Sequence, residues 1–320
     1  QKTAVIDGTI GFCGGMNLKE NDWDASQHTL YDPRRARFRR KKGFRQRIVD
    51  AVQRPDHAPR HDYVARIEGP VVADLEANFE QRWNHLIEAG STWSEHASRL
   101  TPPRPCPPAG RSAVQVVRTM PEPFSERGIL DVHLRALSSA RRLIFIEDQY
   151  FRSTHVSDAI ADAVRMWPGL KVVVVTIRKY AESILEGGWT QEAFERIQRR
   201  HPGFVLYELK TWGRNADGAL HTEAVDNHSK LMIVDDIFLT VGSCNINDRG
   251  FEYEGELNVA VVDRDWVAAQ RLAIWRRLLS DAPGLTGDIA GDVAVWEAHA
   301  AKNAAFDSGV RPEPVSFVYP

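Results

Sequence analysis

Residues 228–235 read His-Ser-Lys-Leu-Met-Ile-Val-Asp, and after six residues the chain continues as Gly-Ser-Cys-Asn at 242–245. The start of the chain repeats this pattern 228 positions earlier, with Lys2 and Asp7 as the lysine and the aspartate and Gly-Gly-Met-Asn at 14–17. The position that corresponds to His228 falls directly before Gln1. We therefore expect a duplicated protein with a second histidine at that position.

The spacing of His228 and Lys230 suits chemistry at a phosphodiester. Side chains at positions i and i+2 of a strand point to the same side, so this pair would face one pocket. A phosphodiester is anionic and has a poor leaving group, so its cleavage needs positive charge, a nucleophile and a proton donor. Lysine can hold a non-bridging oxygen, and Asn245 in the tight turn can donate a further hydrogen bond. Because the lysines supply the charge, we expect no metal requirement.

The duplicated motif predicts candidate catalytic and phosphate-binding residues in both halves. Each of the two aspartates stands five residues past its lysine, at the far end of the strand. We do not expect the aspartates to reach the histidines, but we include them in the catalytic set. The catalytic candidates are His228, Lys230, Lys2, Asn245, Asn17, Asp235 and Asp7, with Gly242, Ser243, Gly14 and Gly15 supporting the phosphate.

The composition indicates a globular protein. The 320 residues are 43% hydrophobic and carry a net charge of −2, which disfavours a nucleic-acid-binding polycation. No apolar run approaches the ~20 residues that span a bilayer, and no signal peptide is visible. Cys13, Cys106 and Cys244 are widely spaced and predict neither a disulfide framework nor a zinc site. The sequence leaves the localisation unknown; a soluble or peripheral membrane protein, such as a secreted bacterial enzyme, is compatible with it.

A proline-rich segment divides the chain. Residues 101–110, TPPRPCPPAG, carry five prolines, which neither donate backbone hydrogen bonds nor continue a helix, and we interpret them as a linker between halves at 1–100 and 111–320. Strands and helices then alternate, which predicts an α/β fold, a duplicated α-β-α sandwich with mixed sheets and pseudo-twofold-related halves. Expected strands are 114–118, 143–147, 171–177, 204–209, 230–234, 237–242 and 257–262, and expected helices are 126–142, 156–167, 190–200 capped by Thr190, and 266–279.

The first half repeats only the end of this order. We expect strands at 2–6, 9–14 and 63–67 and a helix at 71–87, with Leu75, Phe79, Trp83 and Leu86 facing inward. By the arithmetic of the repeat, roughly 110 residues or more of the first half would lie upstream. The last ten residues, RPEPVSFVYP, are expected to form an extended tail on the surface.

These motifs resemble those of the phospholipase D superfamily. His61-Asp62, Arg-Ile-Glu-Gly-Pro at 66–70 and Asn-Phe-Glu-Gln-Arg-Trp at 78–83 are similar to the middle of the phosphatidylcholine-cleaving phospholipases D. Residues 144–151, IFIEDQYF, resemble the family's IYIENQYF segment with Asp148 in place of asparagine. Gly15 and Gly250 stand where the family usually has serine. The resemblance covers most of the chain and implies the phospholipase D fold.

The resemblance also implies a ping-pong reaction on a glycerophospholipid. One histidine attacks phosphorus to form a phosphohistidine, and the other protonates the leaving alcohol and then activates water or an alcohol acceptor. The family usually uses the first-motif histidine as nucleophile, which would leave His228 as general acid and base. The near-symmetric motifs alone do not assign these roles. The implied partner is phospholipid at a membrane surface, the upstream segment would complete the site, and no cofactor is required, with calcium able to help through that surface.

A catalytic imidazole needs an acceptor for its second nitrogen. Alignment of the strand-helix units pairs Asp62 with Glu256, each at the start of a strand that leads into a tryptophan-containing helix. The resemblance suggests carboxylates at these positions too, although such a residue could instead cap a strand end at the surface. We expect Glu256 to accept from His228, and Asp62 to serve the histidine before Gln1.

Two other functions remain open at this point. Residues 33–47, PRRARFRRKKGFRQR, form the strongest charge cluster and are either a solvated loop or a patch for anionic lipid or polynucleotide, so a nuclease or a cardiolipin-synthase-like transferase on the same fold is the first alternative. Replacing Arg39, Arg40, Lys41 and Lys42 would separate the two interpretations. A catalytically dead binding module would follow if the position before Gln1 were not histidine.

Overall fold

The computed structural model describes residues 1–19, 22–36, 58–90, 97–177, 187–214 and 217–320. Within these ranges, ten strands form one mixed sheet, three strands form a smaller antiparallel sheet, and two short strands pair in parallel. The mixed α/β architecture predicted from the alternation of elements is confirmed. No helix in the described ranges is long and apolar enough to cross a membrane.

The secondary structure begins with the first motif and ends with a strand at the C-terminus. The strands are β1 (Thr3–Ile6), β2 (Ile10–Gly14), β3 (Arg60–His61), β4 (Val64–Glu68), β5 (Ala113–Met120), β6 (Glu126–Arg127), β7 (Leu143–Asp148), β8 (Lys171–Val175), β9 (Leu206–Arg214), β10 (Leu220–Ala224), β11 (Asp226–Asn227), β12 (Lys230–Val234), β13 (Phe238–Gly242), β14 (Glu256–Val262) and β15 (Val318–Tyr319). The helices are α1 (Pro33–Ala36), α2 (Val72–Glu88), α3 (Gly128–Ser139), α4 (Thr154–Met166), α5 (Gly187–Gln198), α6 (Asp248–Glu252), α7 (Arg264–Leu278) and α8 (Ile289–Asp307).

The large sheet has the strand order β10-β9-β8-β7-β12-β13-β14-β5-β6, with β15 added beside β9. Strands β7, β8 and β9 are parallel neighbours, whereas β12 lies antiparallel to both β7 and β13. The strand that carries the complete motif, β12, is therefore central, and all five of its residues are buried. A central strand of this kind holds its first residue in a fixed position, because hydrogen bonds constrain the backbone on both sides.

Helices cover both faces of the large sheet. Alternate side chains of β7 point in opposite directions: Ile144 and Ile146 pack into a core shared with α3, α4 and α5, whereas Leu143 and Phe145 pack into a core shared with α7 and α8. The near-continuous apolar runs of β7, β8 and β12 follow from this arrangement, since a strand covered on both faces needs apolar residues at every position.

The small sheet has the order β1-β2-β4 and leans against the large one. Cys13 of β2 packs in one core with Leu257 and Val259 of β14, and its thiol donates to the Leu257 carbonyl at 3.6 Å. Cys106, in the proline-rich segment, donates its thiol to the carbonyls of Gly8 and Gly69 at 3.3 and 3.2 Å. All three cysteines are free.

Four expectations about individual residues in helices were wrong. Leu75 is buried as expected, but Phe79, Trp83 and Leu86 are 55, 37 and 55% exposed. The reason is that the buried apolar residues of α2 all lie in its first turn, against the small sheet. Thr190 lies inside α5, which begins at Gly187, and so does not cap it.

The C-terminal segment is part of the core rather than a surface tail. Its strand β15 pairs with β9, and Val318 is fully buried after helix α8, an element for which the sequence had given no prediction. The basic residues expected to attract anionic surfaces, Arg39, Arg40, Lys41 and Lys42, lie outside the described residues.

A buried ionic cluster ties the α7–α8 layer to the β12–β13 turn. The guanidinium of Arg271 is fully buried and donates from Nε to Asp236 Oδ1 at 2.6 Å and from Nη1 to Asp292 Oδ2 at 2.9 Å. Asp292 is itself fully buried in the first turn of α8. Removing the arginine would leave two carboxylates in the interior with no counter-charge.

We predict that Arg271→Met lowers the free energy of unfolding by about 3 to 5 kcal/mol, the usual cost of breaking a buried ion pair from one side. Urea unfolding followed by circular dichroism would measure the change. The matched control is Arg276→Met on the exposed face of the same helix, which should change stability by less than about 0.5 kcal/mol. Equal effects of the two substitutions would contradict the structural role of the cluster.

Candidate active site

The complete motif lies at the start of β12, where the two halves of the chain meet. Strand β11, just before the motif, pairs in parallel with β3, and the backbone amide of His228 donates to the carbonyl of His61 at 2.8 Å. This short ladder places Asp62, the next residue of the first half, directly beside His228. The register therefore fixes contacts between residues that are 166 positions apart.

Asp62 holds the imidazole of His228. The distance from His228 Nδ1 to Asp62 Oδ2 is 2.6 Å, and the two side chains are 14 and 4% exposed. The other oxygen of Asp62 accepts the Tyr63 backbone amide at 2.8 Å, which fixes the carboxylate. Because Nδ1 is engaged, Nε2 is the nitrogen of His228 left to exchange a proton with a substrate.

The expected pairing of carboxylates and histidines was wrong. The carboxylate of Glu256 does not serve His228; it accepts from the Ser243 hydroxyl and lies 3.7 Å from the backbone nitrogen of Gln1. Asp62, expected to serve the histidine before Gln1, contacts His228 instead. The alignment found two equivalent carboxylates, but each one reaches across to the motif of the other half, because the β3–β11 ladder joins the halves at this point.

Lys230 occupies the pocket next to His228. It is only 3% exposed, and its ammonium donates to the backbone carbonyl of His228. Burial lowers the pKa of Lys230, and the charge of Lys2 lowers it further, whereas Asp148, Asp62 and Glu256 oppose this shift. The charges of Lys2 and of the carboxylates of Asp62, Asp148 and Glu256 thus all act on Lys230, so the two lysines of the duplicated motif lie close together.

The asparagines of the two turns differ in their surroundings. Asn17 donates its side-chain amide to Asp22 Oδ2 at 3.1 Å. The side-chain oxygen of Asn245 is buried and has no hydrogen-bond partner within the described part of the chain. The two asparagines therefore differ: the amide of Asn17 is engaged by an acid, whereas the side-chain oxygen of Asn245 is a buried acceptor that these residues leave unpaired.

The glycines of the turns are required by close packing. A Cβ on Gly14 would lie 2.3 Å from the Tyr63 carbonyl oxygen, and one on Gly242 would lie 2.1 Å from the side chain of Asn258. Gly15, which replaces the usual serine, would place a Cβ 2.6 Å from Asp62 Oδ1 and 2.8 Å from Cδ of Lys230. A side chain at position 15 would therefore displace the two groups that flank His228.

The motif aspartates lie away from this pocket. Asp235 follows the last residue of β12, about 17 Å along the strand from Lys230 at the usual rise per residue, and its carboxylate accepts the backbone amides of Arg141, Arg142 and Leu143 at 2.7 to 2.8 Å. Asp7 is exposed in the β1–β2 turn. Including them in the catalytic set was wrong; Asp235 organises the start of β7 instead.

Glu147, the most buried acid of the site, was not among the predicted site residues. Its carboxylate accepts the hydroxyls of Tyr63 at 2.8 Å and Ser229 at 2.9 Å, and it lies 2.9 Å from Nε2 of His61. Burial disfavours its charge, but the pKa of Glu147 is nevertheless lowered by these donors, chiefly His61. Burial likewise opposes a charged His61, yet Glu147 raises its pKa to about 10. In the sequence, only the resemblance of residues 144–151 to a family segment could have indicated a role for Glu147.

One further cluster could hold a metal ion. Ligand atoms of Asp24, His28 and His61 lie within 4.8 Å of one another, with His28 Nδ1 at 2.7 Å and His61 Nδ1 at 3.6 Å from Asp24 Oδ2. The three residues line a cavity of about 630 Å³ that also reaches Asn17 and Asp62. Two imidazoles and a carboxylate are a common ligand set for divalent ions. The sequence had indicated no metal ligands, because these three residues come together only in the fold.

The chain is similar to known proteins along most of its length. Residues 2–104 match the family described as phospholipase D, and residues 133–276 match the family described as cardiolipin synthase, PLD-like domain. "Phospholipase D A" of Dictyostelium discoideum is 29% identical over 312 residues, which cover 83% of this chain and 24% of that protein. "Cardiolipin synthase A" of Pseudomonas putida is 25% identical over 277 residues, which cover 83% of this chain and 44% of that protein.

The fold also has a counterpart among solved structures. Phosphatidylserine synthase of Haemophilus influenzae superimposes with a TM-score of 0.51 at 11% identity, over 95% of this chain and 69% of that one. At this identity the similarity concerns the fold alone. The chain spans less than half of the length of the two curated relatives named above, so their whole-protein activities do not transfer directly.

We predict that Asp62→Asn lowers kcat at least about 100-fold and changes KM far less, because the amide can present its NH₂ to Nδ1 and no longer fixes the imidazole with Nε2 ready for proton transfer. Steady-state kinetics on a short phosphodiester would measure both constants. Asp131→Asn on the exposed side of α3 is the control and should leave both near the wild-type values. A loss confined to KM would show that Asp62 binds substrate instead of orienting His228.

Proposed function

We propose that this chain, whose residues 2–104 and 133–276 match phospholipase D and PLD-like family models, is a phosphodiesterase of the phospholipase D type. In this proposal it releases phosphatidic acid from phosphatidylcholine or phosphatidylethanolamine, or transfers the phosphatidyl group to an alcohol. The observation that carries the proposal is that Asp62 orients His228, two residues before Lys230, and that Lys2 lies close enough for its charge to act on Lys230. Two lysines can neutralise the phosphodiester, and the oriented imidazole can move the proton that its cleavage requires.

The proposed reaction has two steps, with a phosphohistidine between them. A histidine directly before Gln1 attacks phosphorus, the bond from phosphorus to the leaving oxygen breaks, and the alkoxide takes the proton from Nε2 of His228. In the second step His228 removes a proton from water or an alcohol, whose oxygen attacks phosphorus and breaks the phosphorus–nitrogen bond. Asp62 stabilises the imidazolium of His228 that donates the proton in the first step and forms again in the second, while His228 is neutral in the phosphohistidine intermediate. Lys230 and Lys2 hold the non-bridging oxygens throughout.

The surface around the site supports a lipid substrate. Met16, Leu18 and Trp23 line the cavity next to Asp62 and are 45, 102 and 46% exposed. Apolar side chains exposed together at the mouth of a site are unfavourable in water and are typical of surfaces that contact a lipid or a protein. The net charge of −2 gives no general attraction to polynucleotides.

A second candidate is phosphatidyl transfer of the cardiolipin synthase kind. The match of residues 133–276 and the relative from Pseudomonas putida favour it. The two candidates share the phosphoenzyme chemistry and differ in the acceptor. The nuclease alternative rests on the basic residues at 33–47, most of which lie outside the described part of the chain.

We predict that His228→Ala, Lys230→Ala and Lys2→Ala each reduce turnover at least about 1,000-fold while the far-ultraviolet circular dichroism stays that of the wild type. Choline release from phosphatidylcholine, phosphatidyl transfer to phosphatidylglycerol and nicking of plasmid DNA, compared on one preparation, would identify the substrate. His221→Ala is the control, since that histidine is 46% exposed on β10.

Activity of His228→Ala within about tenfold of wild type would remove His228 from the mechanism. Plasmid nicking that exceeds both lipid reactions would replace the lipase by the nuclease. Failure of the wild type in all three assays would favour a binding module.

We predict that a metal chelator has little effect on the chemical step. Because Lys230 and Lys2 supply the positive charge at phosphorus, hydrolysis of a soluble phosphodiester should keep most of its rate in EDTA. Assays on vesicles can still respond to calcium through the lipid surface. Complete loss on the soluble substrate, restored by a divalent ion, would contradict the metal-independent mechanism and would direct attention to Asp24, His28 and His61.

A further inference from the structure

Asp148 is the last residue of β7, the strand next to β12, and lies on the side of the sheet where the phosphodiester is proposed to bind. It lies directly opposite Lys230 in the antiparallel register of β7 and β12, and directly opposed residues of a pair project on the same side of the sheet. Lys230 in turn shares its side with His228. The chain has aspartate here where its family resemblance would give asparagine, so an additional acid stands beside the lysine that should hold the substrate.

The carboxyl group of Asp148 is only half satisfied. The residue is 1% exposed, and Oδ1 accepts the Tyr150 backbone amide at 2.8 Å. Oδ2 is buried without a hydrogen-bond partner among the described residues. An ionised carboxylate in this state would carry a large desolvation cost, whereas a protonated one needs only an acceptor for its hydroxyl.

We propose that Asp148 is a phosphate-binding residue that acts as a neutral carboxylic acid: its Oδ2–H donates to a non-bridging phosphoryl oxygen, next to the oxygen held by Lys230. The assignment rests on the proposed phosphodiesterase function, since it names a further group in that site. The bound anion supplies the acceptor that Oδ2 lacks, and the proton removes the repulsion that a carboxylate would exert on the anion.

The electrostatics of the pocket agree with this state. Burial raises the pKa of Asp148 to about 8, with Asp62 adding to the shift and Lys230 and the backbone amides of Tyr150 and Ile246 opposing it. The ordinary value for an aspartate is near 3.9, so Asp148 keeps its proton at neutral pH. An incoming phosphodiester adds a further negative charge and favours the protonated form still more.

The groups that face this pocket all bear on its pH dependence. Lys230 and the neutral, buried thiol of Cys244 interact with Asp148 directly, and Lys2 and Glu256 interact with Lys230. Loss of the lysine proton at high pH would also weaken anion binding, so a decline at alkaline pH does not by itself identify Asp148. The charged groups near Asp148 are Lys230, Lys2, Asp62, Glu256 and, when protonated, His228.

The isosteric variant Asp148→Asn separates these contributions. Its side-chain NH₂ can donate to the phosphoryl oxygen at every pH, but it provides no negative charge to keep Lys230 protonated. If Asp148 binds as a neutral acid, the substitution removes the part of the alkaline decline that Asp148 causes and leaves only the part that comes from loss of the lysine proton. If Asp148 is instead ionised and supports Lys230, the substitution weakens binding at neutral pH and shifts the decline to lower pH.

The test is binding of dimethyl phosphate to the full chain between about pH 6 and about pH 10, measured by nuclear magnetic resonance titration. This diester keeps one negative charge over that range. The wild type should bind about tenfold more weakly near pH 9 than near pH 7, as expected for a site that requires one proton with a pKa of about 8. Asp148→Asn should bind more tightly than the wild type near pH 9, and Asp148→Ala more weakly than the wild type near pH 7.

Three results would overturn the assignment. A wild-type affinity without an alkaline decline, or a decline that persists unchanged in Asp148→Asn, rejects the neutral acid and leaves the phosphodiesterase proposal intact. Absence of binding at every pH, with no turnover of any diester, rejects both proposals together. Carbon-13 labelling of aspartate carboxyls offers a direct check, because the resonance lost in Asp148→Asn should titrate near pH 8 in the wild type.

Discussion

The contact between Asp62 and His228 is the interaction on which the site depends, because it joins the two halves of the chain at the reacting atoms. The 2.6 Å distance exists only while β3 and β11 stay paired, since that ladder sets the position of both residues. Glu147 stabilises the same junction. Its carboxylate accepts hydrogen bonds from the hydroxyls of Tyr63 in the first half and Ser229 in the second half, and it lies 2.9 Å from Nε2 of His61. A carboxylate of the first half thus orients the motif histidine of the second half, and the second half alone would lack this contact.

The same junction explains how a lysine can be buried where the proposed anionic substrate would bind. Lys230 is almost fully enclosed, and burial disfavours its charge. Carboxylates around it offset that cost, but each additional negative charge also repels a phosphodiester. The site meets both demands if Asp62 remains committed to His228 and if Asp148 stays neutral until the pH rises towards 8. Net positive charge is then available to the substrate from two lysines, although the pocket contains three acids.

The sequence predicted the elements well and the contacts between halves poorly. Strand β12 was predicted with the bounds that the structure shows, since a run of four apolar residues between Lys230 and Asp235 has few alternatives. Strands β13 and β14 and helix α7 were each predicted to within two residues. Periodicity placed Phe79, Trp83 and Leu86 on one face of α2 but could not show that the sheet beneath covers only its first turn. The alignment identified Asp62 and Glu256 as equivalent, yet their partners depend on the non-local pairing of β3 with β11. Glu147 and the Asp24–His28–His61 group were missed for the same reason, as their members are distant in sequence.

The duplication does not make the two motifs chemically equal, and the turns show where they diverge. Ser243 donates its hydroxyl to Glu256, so part of that carboxylate's hydrogen-bonding capacity is used within its own half. Gly15 has no hydroxyl to offer Asp62, and a Cβ there would meet Asp62 and Lys230 at less than 3 Å. Asp62 therefore directs Oδ2 to His228 without competition from a neighbouring hydroxyl. A histidine that alternates between acid and base benefits from a carboxylate committed to it alone, because that carboxylate stabilises the imidazolium that gives its proton in the first step and forms again in the second. The asymmetry between Gly15 and Ser243 thus favours His228 as the proton carrier, which is the role the proposed reaction assigns to it.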